Sequence, residues 1–114
     1  MVHREIETDV ILETASELGV TIVAYTPLGN GILTGKYHKN PALLEQKSGI
    51  QKSMVKLNIE RTRQLIDSTD EIVVKHKVTI AQMALNWAIY FNGAIVVTIP
   101  GATKVQQAHE NAVL

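Results

Sequence analysis

The sequence predicts an α/β protein with parallel strands, and more narrowly a piece of a larger α/β structure. Three observations predict it. Two short β-branched runs, residues 20–24 and 94–98, have the composition of strands buried on both faces, and each ends in a proline-bearing break, at Thr26-Pro27 and at Ile99-Pro100-Gly101. Helical spacing precedes each run, which is the alternation that implies parallel pairing and right-handed crossovers. Two strands of this kind cannot hide their own edges, so the sheet needs neighbours that the chain does not encode.

Size and composition bound the rest. A chain of 114 residues is one domain at most, and residues 1–114 are read as a single unit. Eleven basic residues balance eleven acidic ones, which argues against a nucleic-acid footprint, since that requires a basic excess. No apolar run approaches the roughly 20 residues needed to span a bilayer, and the polar start lacks a signal peptide's apolar core. Cysteine is absent, so disulfide and thiolate chemistry are excluded. The expectation is a cytoplasmic protein with neither nucleic-acid nor membrane partners.

Taken in order, Ile6, Val10, Ile11, Ala15 and Leu18 give a first helix, and Gly19 follows as its C′ residue. The strand at residues 20–24 comes next. Residues 29–53 carry Gly29, Gly31, Gly35, Pro41 and Gly49 among many polar side chains and read as a long irregular, functional loop. Helical pattern returns from Met54 to Lys77 with Leu57, Arg61, Leu65, Ile72 and Val73, and Ser68-Thr69-Asp70 is a candidate break. Lys56, Glu60, Arg61, Arg63 and Asp67 form a solvated face. Thr79 and Gln82 make a capping box for a helix whose apolar face is Ile80, Met83, Ala84, Trp87, Ala88 and Phe91, with Trp87 and Phe91 read as core rather than as a ligand-stacking pair. Asn92-Gly93 ends that helix, the strand at 94–98 follows, and Thr103 with Gln106 caps a last helix.

Both strands deliver a Pro/Gly loop to the same end of the sheet, where α/β proteins place their ligands. The second loop leads into a capped helix start at Thr103, whose free N–H groups and dipole favour an anion, and Lys104 adds a positive charge. A phosphate site is the physical inference. His3, His38, His76 and His109 show no ligand spacing and read as solvated or locally bonded.

Residues 23–37 (VAYTPLGNGILTGKY) resemble the "AYSPLGRGxLTGKY" segment of the aldo-keto reductases. Residues 99–104 (IPGATK), followed by Glu110-Asn111, resemble that family's "IPGxxK…EN" segment, and residues 79–87 (TIAQMALNW) are similar to the "AQxALxW" helix between them. The resemblance covers nearly the whole chain. It implies the C-terminal part of a (β/α)8 TIM barrel, roughly strands seven and eight with their flanking helices, in an NADP(H)-dependent enzyme that reduces aldehydes or ketones to alcohols by hydride transfer.

It also implies the site. Tyr25 would stack on the nicotinamide. Thr26 and Leu28, with Pro27 between them and the backbone of Gly29, Asn30 and Gly31, would line the pyrophosphate. Gly101, Thr103, Lys104 and Gln107, entered from Pro100, would surround the adenosine 2′-phosphate, and Glu110 and Asn111 would hold the adenine. Many family members carry a Lys at the position of Gly101 and an Arg at that of Gln107; losing the guanidinium fork weakens phosphate recognition, and Lys104 compensates. The family's catalytic Asp, Tyr, Lys and His come from earlier strands, so no catalytic residue is assigned here and the chain is expected to be inactive alone. The partners implied are a small carbonyl substrate and either the missing part of the barrel or a second copy. The other reading is a non-catalytic nucleotide-binding or interaction module, similar to the regulatory β subunits of potassium channels.

Overall fold

The computed structural model describes residues 10–91, 93 and 96–113. The expected helix start at Ile6, His3, and the expected strand and turn residues Asn92, Ala94 and Ile95 lie outside that set. The described chain is mostly helical, with a small two-stranded parallel sheet. Helix α1 (Ile11–Leu18) buries Ala15 and ends at Gly19, whose φ of 66° lets its N–H reach back to the carbonyls of Ala15 and Ser16. Strand β1 (Ile22–Ala24) then pairs in parallel with β2 (Val96–Thr98), Ile22 opposite Val96, Val23 opposite Val97 and Ala24 opposite Thr98. Past the last pair, Ile99 donates its N–H to Ala24 O at 3.3 Å.

Burial on both faces, expected of both strands, does not hold. The paired residues Val23 and Val97 are 56% and 46% exposed. Each strand still has the composition of a buried one, and the face that carries Val23 and Val97 is about half open to solvent.

Residues 29–53 are not an irregular loop. They fold into a 3₁₀ turn (Gly29–Thr34), a one-turn helix α2 (Lys36–Lys39), a second 3₁₀ turn (Pro41–Gln46) and the start of helix α3 (Gly49–His76). Pro41 sits at the first turn of its helical segment, where its missing N–H is no loss. Four apolar residues scattered among the polar ones, Ile32, Leu33, Tyr37 and Leu44, are the buried anchors. Ile32, Tyr37 and Leu44 pack with Val55 and Ile59 of α3 into one hydrophobic cluster. Between them, Gly35 (φ 76°) passes so close to the next helix that a Cβ there would stand 2.9 Å from Ile80 Cδ1.

Helix α3 runs unbroken for 28 residues. Ser68 and Thr69 do not interrupt it, because their hydroxyls donate to the carbonyls of Leu65 (3.0 Å) and Ile66 (2.7 Å), and Asp70 pairs with Lys39 at 3.1 Å. Of the apolar residues that mark the helical pattern, Val73 alone is buried. Val55, Ile59, Thr62, Ile66, Thr69 and Val73 point inward, while Leu57, Leu65 and Ile72 are exposed. Two threonines in the inward stripe disguised it as polar. Lys56, Glu60, Arg61 and Asp67 do lie on the solvated side.

Helix α4 (Ile80–Tyr90) begins with the expected capping box: Thr79 N–H donates to Gln82 Oε1 at 3.0 Å and Gln82 N–H to Thr79 Oγ1 at 3.1 Å. Ile80, Ala84 and Leu85 are buried, and Ile80 joins Ile66 and Val73 in a second cluster with Met83 against it. Trp87 is only half-buried and stacks on an exposed Phe91, ring centroids 4.7 Å apart, so this pair is not core. The last helix, α5 (Val105–Ala112), is entered from Lys104, and its capping side chain is Gln107 rather than Gln106. Gln106 instead bonds Glu110 Oε1 along the helix, at 2.8 Å. Among the described residues, no helix is long and apolar enough to cross a membrane.

Candidate functional site

Beyond the carboxyl ends of both strands lies an open cleft of 610 Å³. Its walls come from the two loops the strands deliver. The loop after β1 contributes Thr26, Pro27, Leu28, Asn30 and Gly31; the loop after β2, with α5, contributes Pro100, Gly101, Thr103, Gln107, Glu110 and Asn111. The parallel register brings the two together, since Ala24 and Thr98 end the ladder side by side. Tyr25, Gly29 and Lys104 are not among the lining residues, and Tyr25 is 80% exposed at the end of β1.

The first wall is tightly wound. Thr26, Gly29, Asn30 and Gly31 all have left-handed backbone conformations, with φ between 48° and 92°. For Thr26, a β-branched residue at φ 48°, this is strained backbone at the edge of the cleft. The turn is held by its own hydrogen bonds: Gly29 N–H to Thr26 O, and both Gly31 N–H and Leu33 N–H to Leu28 O, at 3.0 to 3.1 Å. Thr34 Oγ1 closes it onto Gly31 O at 2.6 Å.

Among the lining residues outside the expected site, Lys36, Tyr37 and Lys47 form one cluster. Tyr37 is buried, and two ammonium groups lie over its ring, Lys36 Nζ at 4.9 Å from the centroid and Lys47 Nζ at 5.7 Å. Neither lysine has a carboxylate partner among the described residues, whereas Lys39, Lys52 and Arg63 pair with Asp70, Glu45 and Glu60. These two cations lie together where the strands end. Lys36 and Tyr37 close the first motif and were in plain sight. Nothing local marks Lys47, which reaches the cleft because Pro41–Gln46 turns helically.

The second wall is the start of α5. Gln107 Oε1 accepts three hydrogen bonds, from Thr103 N–H (2.8 Å), Lys104 N–H (3.2 Å) and Thr103 Oγ1 (3.2 Å). The amides expected to be open to an anion therefore carry an internal acceptor, which an incoming anion has to displace. Glu110 and Asn111, one turn on, are both half-buried on the cleft side.

Away from the cleft, His38 is neither solvated nor locally bonded. Its Nε2 lies 2.9 Å from Thr62 Oγ1 on α3. Thr62 donates its hydroxyl proton to Asn58 O at 2.7 Å, which leaves the histidine Nε2 as the donor, and His38 Nδ1 is buried with no hydrogen-bond partner among the described residues. The bond ties the residue next to Tyr37 to the long helix. His76 and His109 are exposed. Glu60 and Arg63 perturb each other's ionisation on the outer face of α3. Hydrogen bonding and then charge attraction between them lower the carboxyl and raise the guanidinium from their ordinary values. Among the described residues, no group of three His, Cys, Asp or Glu side chains could hold a metal ion.

Comparison with known proteins bears on the whole of this arrangement. A sequence profile described as "Aldo/keto reductase family" matches residues 1–113. "Aldo-keto reductase str7" of Strobilurus tenacellus is 39% identical over 104 residues, which cover 89% of this chain and 30% of that protein. "Putative pyridoxal reductase" of Saccharomyces cerevisiae is 31% identical over 115 residues, 89% of this chain and 33% of that protein. The chain thus spans about a third of the length of the curated relatives it matches. With the match running from the first residue to the last turn of α5, the chain belongs to the aldo/keto reductase family.

Proposed function

We propose that this chain carries the cofactor-binding part of an NADP(H)-dependent oxidoreductase that reduces aldehydes or ketones to alcohols, and that it forms the segment of a (β/α)8 barrel around strands seven and eight. One observation carries the reading: a single cleft gathers the loops after both strands together with two lysines that have no carboxylate partner among the described residues. Those cations fit a ligand rich in phosphate. Lys36, Lys47 and the wound backbone of Asn30 and Gly31 would hold the pyrophosphate. Thr103, with Lys104 just outside the cleft wall, would hold the 2′-phosphate once Gln107 yields. Glu110 and Asn111 would hold the adenine, and Tyr25 at the end of β1 would face the nicotinamide.

When bound, the nicotinamide supplies a hydride to the carbonyl carbon. The carbonyl oxygen then needs a proton, which we assign to an acid outside these 114 residues, in line with the family's Asp, Tyr, Lys and His on earlier strands. What the residues here do is bind, orient and shield the cofactor. The half-exposed Val23 and Val97 fit the same picture, since neighbouring barrel layers would cover that face.

The test is a titration of the whole protein with NADPH, followed by cofactor fluorescence, and then turnover with a carbonyl compound; pyridoxal is a suitable first aldehyde in view of the yeast relative's name. Saturable binding with turnover is the expected result. Binding without turnover of any carbonyl would shift the assignment to a non-catalytic nucleotide-binding module, and absence of binding would overturn the proposal.

A further inference from the structure

One side-chain amide joins the two helices that frame the cleft. Gln82 Oε1 accepts the N–H of Thr79, completing the cap of α4. Its Nε2 points the other way and donates to Glu110 O at 3.2 Å and to Val113 O at 3.1 Å. Glu110 O belongs to the last turn of α5 and Val113 O to its C-cap, where helix carbonyls lack an N–H donor within their own helix. The two halves of the amide therefore do separate work. The oxygen closes the start of one helix, and the nitrogen holds the end of another that is distant in sequence. Glu110 and the adjacent Asn111 line the cleft from that held turn, and Thr79 lines it from the cap.

We propose that Gln82, which does not line the cleft, is a positioning residue for the adenine end of the site: its Nε2 fixes the last turn of α5, and so sets where Glu110 and Asn111 present themselves to a nucleotide. The proposal rests on the nucleotide-binding reading above. It separates the residue's two roles by atom, so two variants separate them by experiment. Gln82→Glu keeps an oxygen acceptor for Thr79 N–H, and a carboxylate is favoured at that point of a helix, but it has no donor for Glu110 O or Val113 O. Gln82→Lys keeps a donor and has no acceptor for Thr79.

The measurement is calorimetric binding of 2′,5′-ADP and of NADPH to the whole protein and both variants, beside each protein's thermal midpoint. Gln82→Glu, which keeps the cap of α4 and loses the bonds to α5, is expected to lower the midpoint less than Gln82→Lys does while both dissociation constants rise about tenfold. Gln82→Lys is expected to lower the midpoint and bind both ligands within about threefold of the unaltered protein, as befits a retained donor. Unchanged affinity in Gln82→Glu would overturn the proposal, as would a midpoint loss matching that of Gln82→Lys, which makes the role structural only. If the unaltered protein binds neither ligand, the nucleotide reading itself fails and takes this proposal with it.

Discussion

Gln107 sits over the start of α5 with its Oε1 2.8 Å from the backbone nitrogen of Thr103. In the proposed reading a neutral side chain thus occupies the place of a phosphate oxygen, and binding there would be an exchange of acceptors. Gln107→Ala removes the internal acceptor and loosens the helix start by about 1 kcal/mol, the usual worth of a cap. Gln107→Arg replaces the acceptor by a fork of donors, and the ratio of NADPH to NADH affinity is expected to rise roughly tenfold. Parallel titrations with the two dinucleotides check it; an unchanged ratio would remove Gln107 from the 2′-phosphate subsite.

Gly35 is fixed by two independent constraints, a φ of 76° and the Ile80 methyl 2.9 Å from where a side chain would begin. Gly35→Ala is expected to destabilise the protein by roughly 2 kcal/mol, read from the shift of a urea transition, because the strained backbone and the displaced Ile80 add. A loss below about 0.5 kcal/mol would mean that the turn and α4 separate easily.

The two faces of α3 make opposite predictions. Ile66 is 1% exposed and packs with Val73 and Ile80, so Ile66→Ala should cost about 2–5 kcal/mol. Leu57 is on the uncovered side, and Leu57→Ala should change stability by less than about 0.5 kcal/mol. Equal losses in the same urea titrations would place Leu57 in an interface with parts of the protein beyond those described.

Glu60 and Arg63 give a pH signature. The Glu60 carboxyl is held below its ordinary value by the Arg63 hydrogen bond and charge. A carboxyl lowered in the folded state contributes stability above its unfolded pKa and loses it as pH falls through the folded one. Replacing Arg63 by Met should therefore move the Glu60 carboxyl resonance titration upward in NMR. The stability difference between the two proteins should close in the acid range and persist at neutral pH. Both groups are exposed, so the difference is small and shrinks with added salt.

Local chemistry carried some of this fold in readable form and hid the rest. The Thr79/Gln82 box, Gly19, and the two Pro/Gly breaks act within three or four residues, and each stands where the spacing puts it. The face of α3 did not show, because Thr62 and Thr69 are buried by bonding their hydroxyls back to the helix, which composition counts as polar. The stretch after Gly29 was misread for a related reason: its glycines and proline mark tight helical turns, and only contact with Val55 and Ile59 reveals that Ile32, Tyr37 and Leu44 are anchors. In the cleft, both motif-bearing loops were legible. Lys47 and the Gln107 acceptor were not, since each depends on where a distant or neighbouring backbone turns.

The pairing of β1 with β2 has a kinetic consequence. Ile22 and Val96 meet only after nearly the whole intervening chain has been drawn into a closed loop, whereas α3 and α4 form from near neighbours. The cost of closing that loop makes the sheet, and with it the cleft at its edge, the part of the fold expected to form last. A ligand held there contacts groups that are not yet assembled at the rate-limiting barrier. It should leave the refolding rate unchanged and lengthen the native lifetime alone.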